Sequence, residues 1–200
     1  MSISSVKTRQ GTEVTNPPLA RLLFDDTRLS VVWAVVRVLL GLSWIDAASH
    51  KLSSPAWMQT GEALKGFWAG AVKFDAATGK GPIAFDWYRS FLQGTLDSGA
   101  YVWFAKLVAV GELLIGVALI LGAFVGIAAF FGAFMNWNFI MAGSASTNPL
   151  LLVAAILLVL AWKTAGYYGA DRFLLSFLGT PWGRRSKEKV TSDERVASAA

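Results

Sequence analysis

The segment VGELLIGVALILG, Val110 to Gly122, carries one ionisable residue, Glu112, in an otherwise apolar run. A carboxylate there can hold or pass a proton, or neutralise a cation, provided other polar groups reach it. At the middle of a bilayer an ionisable group costs about 2.5 to 3.5 kcal/mol on insertion scales, so it is expected to face other helices and to have a partner. Residues with suitable chemistry are few. Arg37, Asp46, His50 and Lys51 lie in or beside one apolar stretch, Lys106 precedes Glu112 in a second, and Asn136 and Asn138 lie in a third. Asp46 and His50 are four apart and share a helix face, where the carboxylate can accept from a ring nitrogen and favour the charged imidazole.

Depth nominates partners. With span centres near Gly41, Gly111 and Phe134 and a rise of about 1.5 Å per residue, Arg37 lies about 6 Å inward and Glu112 about 1.5 Å inward, a gap an Arg side chain covers. Asp46 and Lys106 both lie about 7.5 Å outward. A structural ion pair between Arg37 and Glu112 is therefore expected, and a meeting of Asp46 with Lys106. His50, Lys51, Lys106, Asn136 and Asn138 then gather as a polar, net basic pocket in the outer half, suited to a small anion or a quinone headgroup. Glu112 and Asp46 are its proton-transferring groups. Each residue also has an architectural reading: Arg37 and Glu112 as an interhelical clamp, Lys51 and Lys106 snorkelling to headgroups, Asn136 and Asn138 bonding between helices.

These residues need elements to hold them. The 200-residue chain is 54% hydrophobic and only 16% charged, a composition suited to lipid. Four segments are apolar enough to cross about 30 Å of hydrocarbon: about Val31 to His50, Tyr101 to Leu121, Gly126 to Ala142, and Leu150 to Tyr168. The links AFVG and GSASTNP are too short for anything but antiparallel neighbours. The expected fold is an all-α integral membrane four-helix bundle with antiparallel spans. Asn148 is expected to cap the last span with its side chain, Pro149 following at the first turn. Residues 29–178 form the membrane domain, 1–28 a polar cytoplasmic segment without the features of a cleavable signal peptide, and 179–200 a basic, disordered cytoplasmic tail.

Loop 52–100 is expected to be extracytoplasmic. SPAWMQTGEALKGFWAGAV reads as a helix with Ser54 as cap and Pro55 at its first position, and PIAFDWYRSFL as a second, both interfacial because of their Trp and Tyr content; a small soluble cap is the other reading. The net charge of +5 does not signal nucleic acid, because its cations concentrate at the ends: Lys7, Arg9, Arg21 and Arg28, then Arg172, Arg184, Arg185, Lys187, Lys189 and Arg195. That asymmetry places both termini in the cytoplasm of a multi-pass protein of the cell membrane. With no cysteine and one histidine, a thiolate-bound cluster, a bis-histidine haem or a His-rich zinc site cannot be built from this chain alone, so no metal or haem is expected.

Three motifs in order resemble the DoxX/DoxD family of small four-span membrane proteins. They are Arg37, Gly41 and Lys51 on the first span; Glu112, Gly116 and Gly122 on the second; and the closing AGYYGADRFLL with Gly166, Tyr167, Tyr168 and Asp171. They cover roughly Val31 to Leu175. The long first loop is closer to the DoxD branch, the membrane subunit of thiosulfate:quinone oxidoreductase. That resemblance implies oxidation of thiosulfate to tetrathionate, quinone as electron acceptor and a DoxA-like or other redox subunit as partner, besides membrane lipid. On that reading Lys51, Lys106 and His50 hold the anion or headgroup. A non-catalytic membrane anchor or assembly subunit of a redox complex is the alternative, and a homo-oligomer is compatible with either.

Overall fold

Apolar, Leu- and Ala-rich runs without internal proline favour helix, and helices dominate. The computed structural model describes residues 6–7, 13–14 and 16–178. The strands β1 (Val6–Lys7) and β2 (Glu13–Val14) form a two-residue antiparallel pair. A short helix α1 (Pro18–Ala20) then runs into a π-helical turn, Arg21–Asp25, and a 3-10 turn, Thr27–Leu29. The remaining helices are α2 (Ser30–Leu52), α3 (Pro55–Met58), α4 (Glu62–Ala71), α5 (Asp86–Asp97), α6 (Tyr101–Leu121), α7 (Val125–Met141), α8 (Asn148–Leu160), α9 (Trp162–Ala165) and α10 (Asp171–Phe177). The all-helical class is as expected. The tail 179–200 lies outside the described residues.

Two helices, α2 and α6, are long and apolar enough by themselves to cross a membrane. They pack closely, because Gly41 and Gly116 face one another: a Cβ on either would lie 2.9 Å from the other's carbonyl oxygen. Along this contact Lys51 meets Glu112 and Arg37 meets Leu119, so the two helices are antiparallel. The helix α7 has 17 residues and α8 only 13, about 26 and 20 Å long at the helical rise. The last apolar segment, expected as one span to Tyr168, breaks at Ala161 and turns again at Gly166. Tertiary packing accounts for the break: the Trp162 side chain lies where a Cβ on Gly126 would be, and the Thr164 hydroxyl donates to the carbonyls of Ala161 and Phe24.

The core between these helices holds Trp33, Leu40, Trp44, Leu119, Val125 and Leu158, while Leu39, Leu114, Phe130 and Leu150 are exposed on the outer faces. The buried polar residues are Ser30, Arg37, Glu112, Asn136, Thr164 and Asp171. Polarity is thus turned inward and apolar surface outward.

The segment 16–29, expected as part of a polar arm, straps the N-terminal end of α2 and α9. Trp33 donates its indole N–H to the Leu23 carbonyl at 2.7 Å and stacks on Phe24, and Lys163 pairs with Asp25 at 2.9 Å. At the other end, α4 and α5 build a small core of Leu64, Trp68, Ile83, Tyr88 and Leu92 against Ala105 and Ala142. The helix expected from Ser54 onward is split into α3 and α4 at Gly61, whose positive φ of 72° presses its backbone against Tyr101 and Val102. Ser54 makes no side-chain cap, although Pro55 does open the helix. Between α4 and α5 the loop closes on itself, with Asp75 N donating to the Lys80 carbonyl and the Asp75 carboxylate accepting from Ala77 N and the Thr78 hydroxyl.

Candidate functional site

Arg37, Trp44 and Lys51 recur at seven-residue intervals on α2, which keeps them on the buried side. Opposite them, α6 turns Ala105, Ala109, Glu112 and Gly116 inward. Lys51 reaches back along its helix, as long helical side chains do, and its Nζ lies 3.0 Å from Oε1 and 2.8 Å from Oε2 of Glu112. Glu112 is 1% exposed and Lys51 19%. The ammonium also sits 5.2 Å from the centre of the Trp57 ring, a cation–π contact from α3.

The expected Arg37–Glu112 pair is therefore not formed. The depth count set Gly41 level with Gly111, whereas the close approach sets Gly41 level with Gly116, a slip of five residues or about 7.5 Å. That slip carries Arg37 past Glu112 to the end of α6. There its guanidinium donates to the carbonyls of Leu119, Ile120 and Tyr168. Asp171 lies beside it and accepts from the backbone N–H groups of Phe124 and Val125, at the start of α7. Arg37 thus caps the orphan carbonyls of one helix and Asp171 the orphan donors of the next. Gly122, with φ 66°, makes the corner between them and has no room for a Cβ against Arg37. Gly166 and Gly169 are equally crowded, by Asp171 and Gly122.

A cavity of about 610 Å³ opens beside the Lys51–Glu112 pair. Trp44, Asp46 and Lys51 line it from α2, Asn136 and Phe139 from α7, Trp57 and Phe67 from α3 and α4, and Ser144, Thr147 and Asn148 from the link into α8. Of the residues expected at the site, Glu112, Lys51, Asp46 and Asn136 come together here. The others do not. His50 and Asp46 have side chains 80% and 78% exposed, with Nε2 and Oδ1 3.7 Å apart, so His50 stands outside the cavity. Lys106 is exposed on α6 and pairs with no acid, Asp46 included, among the described residues. Asn138 faces α5, where the Tyr88 hydroxyl donates to its carbonyl at 3.0 Å and its Oδ1 at 3.2 Å. Burial holds the Tyr88 phenol above its ordinary range. Asn148 donates to the Ser144 carbonyl instead of capping α8 with its oxygen.

Among the lining residues missed by the reading of charged residues alone are Trp44 and Trp57. Trp44 could have been found from its seven-residue spacing to Arg37 and Lys51; Trp57 could not, because it reaches Lys51 from the separate short helix α3, outside the apolar runs. No protein-family model, curated protein or solved structure matches the chain.

Proposed function

We propose that this chain is a multi-pass membrane subunit of a quinone-linked oxidoreductase and that its cavity receives the quinone headgroup. The helices α2, α6 and α7 and the broken α8–α9 pair form its antiparallel four-helix membrane bundle, with both termini cytoplasmic. The observation that carries the reading is the buried Lys51–Glu112 pair on the wall of a cavity between helices whose outer faces are apolar. A buried ion pair is a costly way to hold helices together, and ionisable groups inside a membrane mark pathways for protons and substrates. The cavity offers what a quinone needs: apolar walls, an ammonium donor, and unpaired polar groups on Trp44 and Asn136.

The electron donor carried over from the DoxD resemblance is thiosulfate. Two thiosulfates joined as tetrathionate release two electrons, and these with two protons convert a quinone to its quinol. In this chain Lys51 donates a hydrogen bond to the headgroup, and Glu112 exchanges a proton with it while Lys51 holds the carboxylate in place. Asp46, at the mouth, links that carboxylate to outer water. Membranes holding this protein with its redox partner should reduce a soluble quinone analogue when given thiosulfate, and Glu112→Gln should lower kcat at least ten-fold. A turnover that ignores Glu112→Gln, or no thiosulfate-dependent turnover with the partner present, removes the reading.

One observation favours a second reading, the membrane anchor. Ser43, Asp46 and His50 put an exposed polar stripe on α2 within the apolar part of the chain, where a covering polypeptide from another subunit would relieve the cost of an exposed carboxylate with only His50 beside it. A stoichiometric partner lost on Asp46→Leu, combined with turnover indifferent to Glu112 and Lys51, supports the anchor over the enzyme subunit.

A further inference from the structure

Two buried polar side chains on the cavity wall have unmet hydrogen-bonding groups. Asn136 is 0% exposed, yet neither its Nδ2 nor its Oδ1 has a protein partner; Trp44, 3% exposed, leaves its indole N–H unmet. Buried amides and N–H groups are nearly always paired, so an exception asks for an explanation. The two lie together. Trp44 Nε1 is 3.3 Å from where a Cβ on Gly132 would stand, and Gly132 is one helical turn before Asn136 on α7. The glycine is what admits the indole at that point. Lys51 and Glu112 border the same cavity.

The chemistry of these groups is selective. An indole N–H only donates, an ammonium only donates, a carboxylate only accepts, and a carboxamide does both. A headgroup carrying carbonyls can take bonds from Trp44, Lys51 and Asn136 Nδ2. Once those carbonyls have become hydroxyls, the same headgroup can donate to Asn136 Oδ1 and Glu112. Asn136 is the one group in the set able to serve both forms. Charge sets the second condition. The ionisable residues lining the cavity are Lys51, Glu112 and Asp46, one basic and two acidic, and neither His50 nor Lys106 contributes. Its one basic group, Lys51, is already paired with Glu112 at 2.8 Å, so an entering dianion would find no unpaired positive charge on the cavity wall.

We infer that the cavity selects a neutral headgroup with carbonyl or hydroxyl groups at more than one edge, that Trp44 and Asn136 are its specificity-determining contacts, and that thiosulfate is not bound there. The inference rests on the quinone reading above and moves recognition of the sulfur anion to another surface or another subunit.

The test titrates the full-length protein in detergent with a decyl-substituted benzoquinone and, separately, with sodium thiosulfate, by calorimetry. Wild type should bind the quinone and not the thiosulfate, and thiosulfate should not displace the quinone. Asn136→Leu, close in volume, should weaken quinone binding at least ten-fold while leaving the ligand-free Tm unchanged or higher, because an unpaired amide is replaced by an apolar group. A purely structural asparagine would do the opposite, lowering Tm with no change in affinity, and that result overturns the inference. Trp44→Phe keeps most of the ring and removes the donor; it carries the same expectation and stands in if Asn136→Leu does not fold. Quinone bound equally well by wild type and both variants sinks the inference and leaves the quinone reading standing, as does thiosulfate competing for the cavity. Wild type that binds no quinone sinks both.

Discussion

Removing Glu112 alone should be more harmful than removing its pair. Glu112→Leu leaves the Lys51 ammonium without its counter-ion in a mostly buried position, a loss of about 3 to 5 kcal/mol for a buried pair broken on one side. Joining it to Lys51→Met should recover much of that, which thermal unfolding of the single and double variants in one detergent would measure; equal Tm values for both would remove the pair as a stability element. That Glu112 would find a cation was legible, because a carboxylate in an apolar run has few alternatives. Which cation was not, since a register slip of five residues decides it and only the opposed glycines set that register. Beside the N-terminal end of α2, burial by itself would raise the Asp25 pKa, but hydrogen bonds from Asn16 and Lys163 outweigh it and hold Asp25 below its ordinary value. The linkage sign follows: a lowered folded pKa adds stability above the unfolded pKa, lost as pH falls through the folded one. Asp25→Asn should therefore flatten the decline in Tm in acid, below about pH 4, and leave the slope near neutrality unchanged.

The helices are held by their ends as much as by their faces. Arg37 and Asp171 satisfy the carbonyls and N–H groups on the two sides of the α6–α7 corner, so Asp171→Ala should cost at least the about 1 kcal/mol typical of a lost helix cap. It also strips Arg37 of the neighbouring carboxylate, and a drop in Tm larger than that of Asp25→Asn is expected. On the α2–α6 face, Gly116→Val places carbon where the Gly41 carbonyl and the Ile45 side chain already stand, at 2.9 and 2.8 Å. The helices must separate, and the Lys51–Glu112 contact should go with the packing. Short links made the antiparallel order of α6, α7 and α8 legible. The breaks at Gly61 and Ala161 were not, because each is imposed by a neighbour distant in sequence: Tyr101 and Val102 for the first, Gly126 and Phe24 for the second. Propensity has no access to such contacts.

Taken whole, the described residues bury Arg37, Glu112 and Asp171 and leave many Leu, Phe and Val side chains exposed on the long helices. The proposed orientation has a direct check: Ala76→Cys, in a chain with no other thiol, should react with an impermeant maleimide on intact cells. Labelling only after lysis would invert the topology and put the cavity mouth on the other side. Two turns of the chain differ in what they tolerate. Residues 75–80 are tied only to one another, so a fluorescent protein spliced after Thr78 joins two chain ends that already sit side by side and should fold as a separate lobe. At Ala123 the same cargo would wedge Gly122 away from Gly169 and pull both helix caps apart, so fusions there should yield little material in the membrane. Where a visible tag can be hung on this protein is thus decided by a clasp of one arginine and one aspartate.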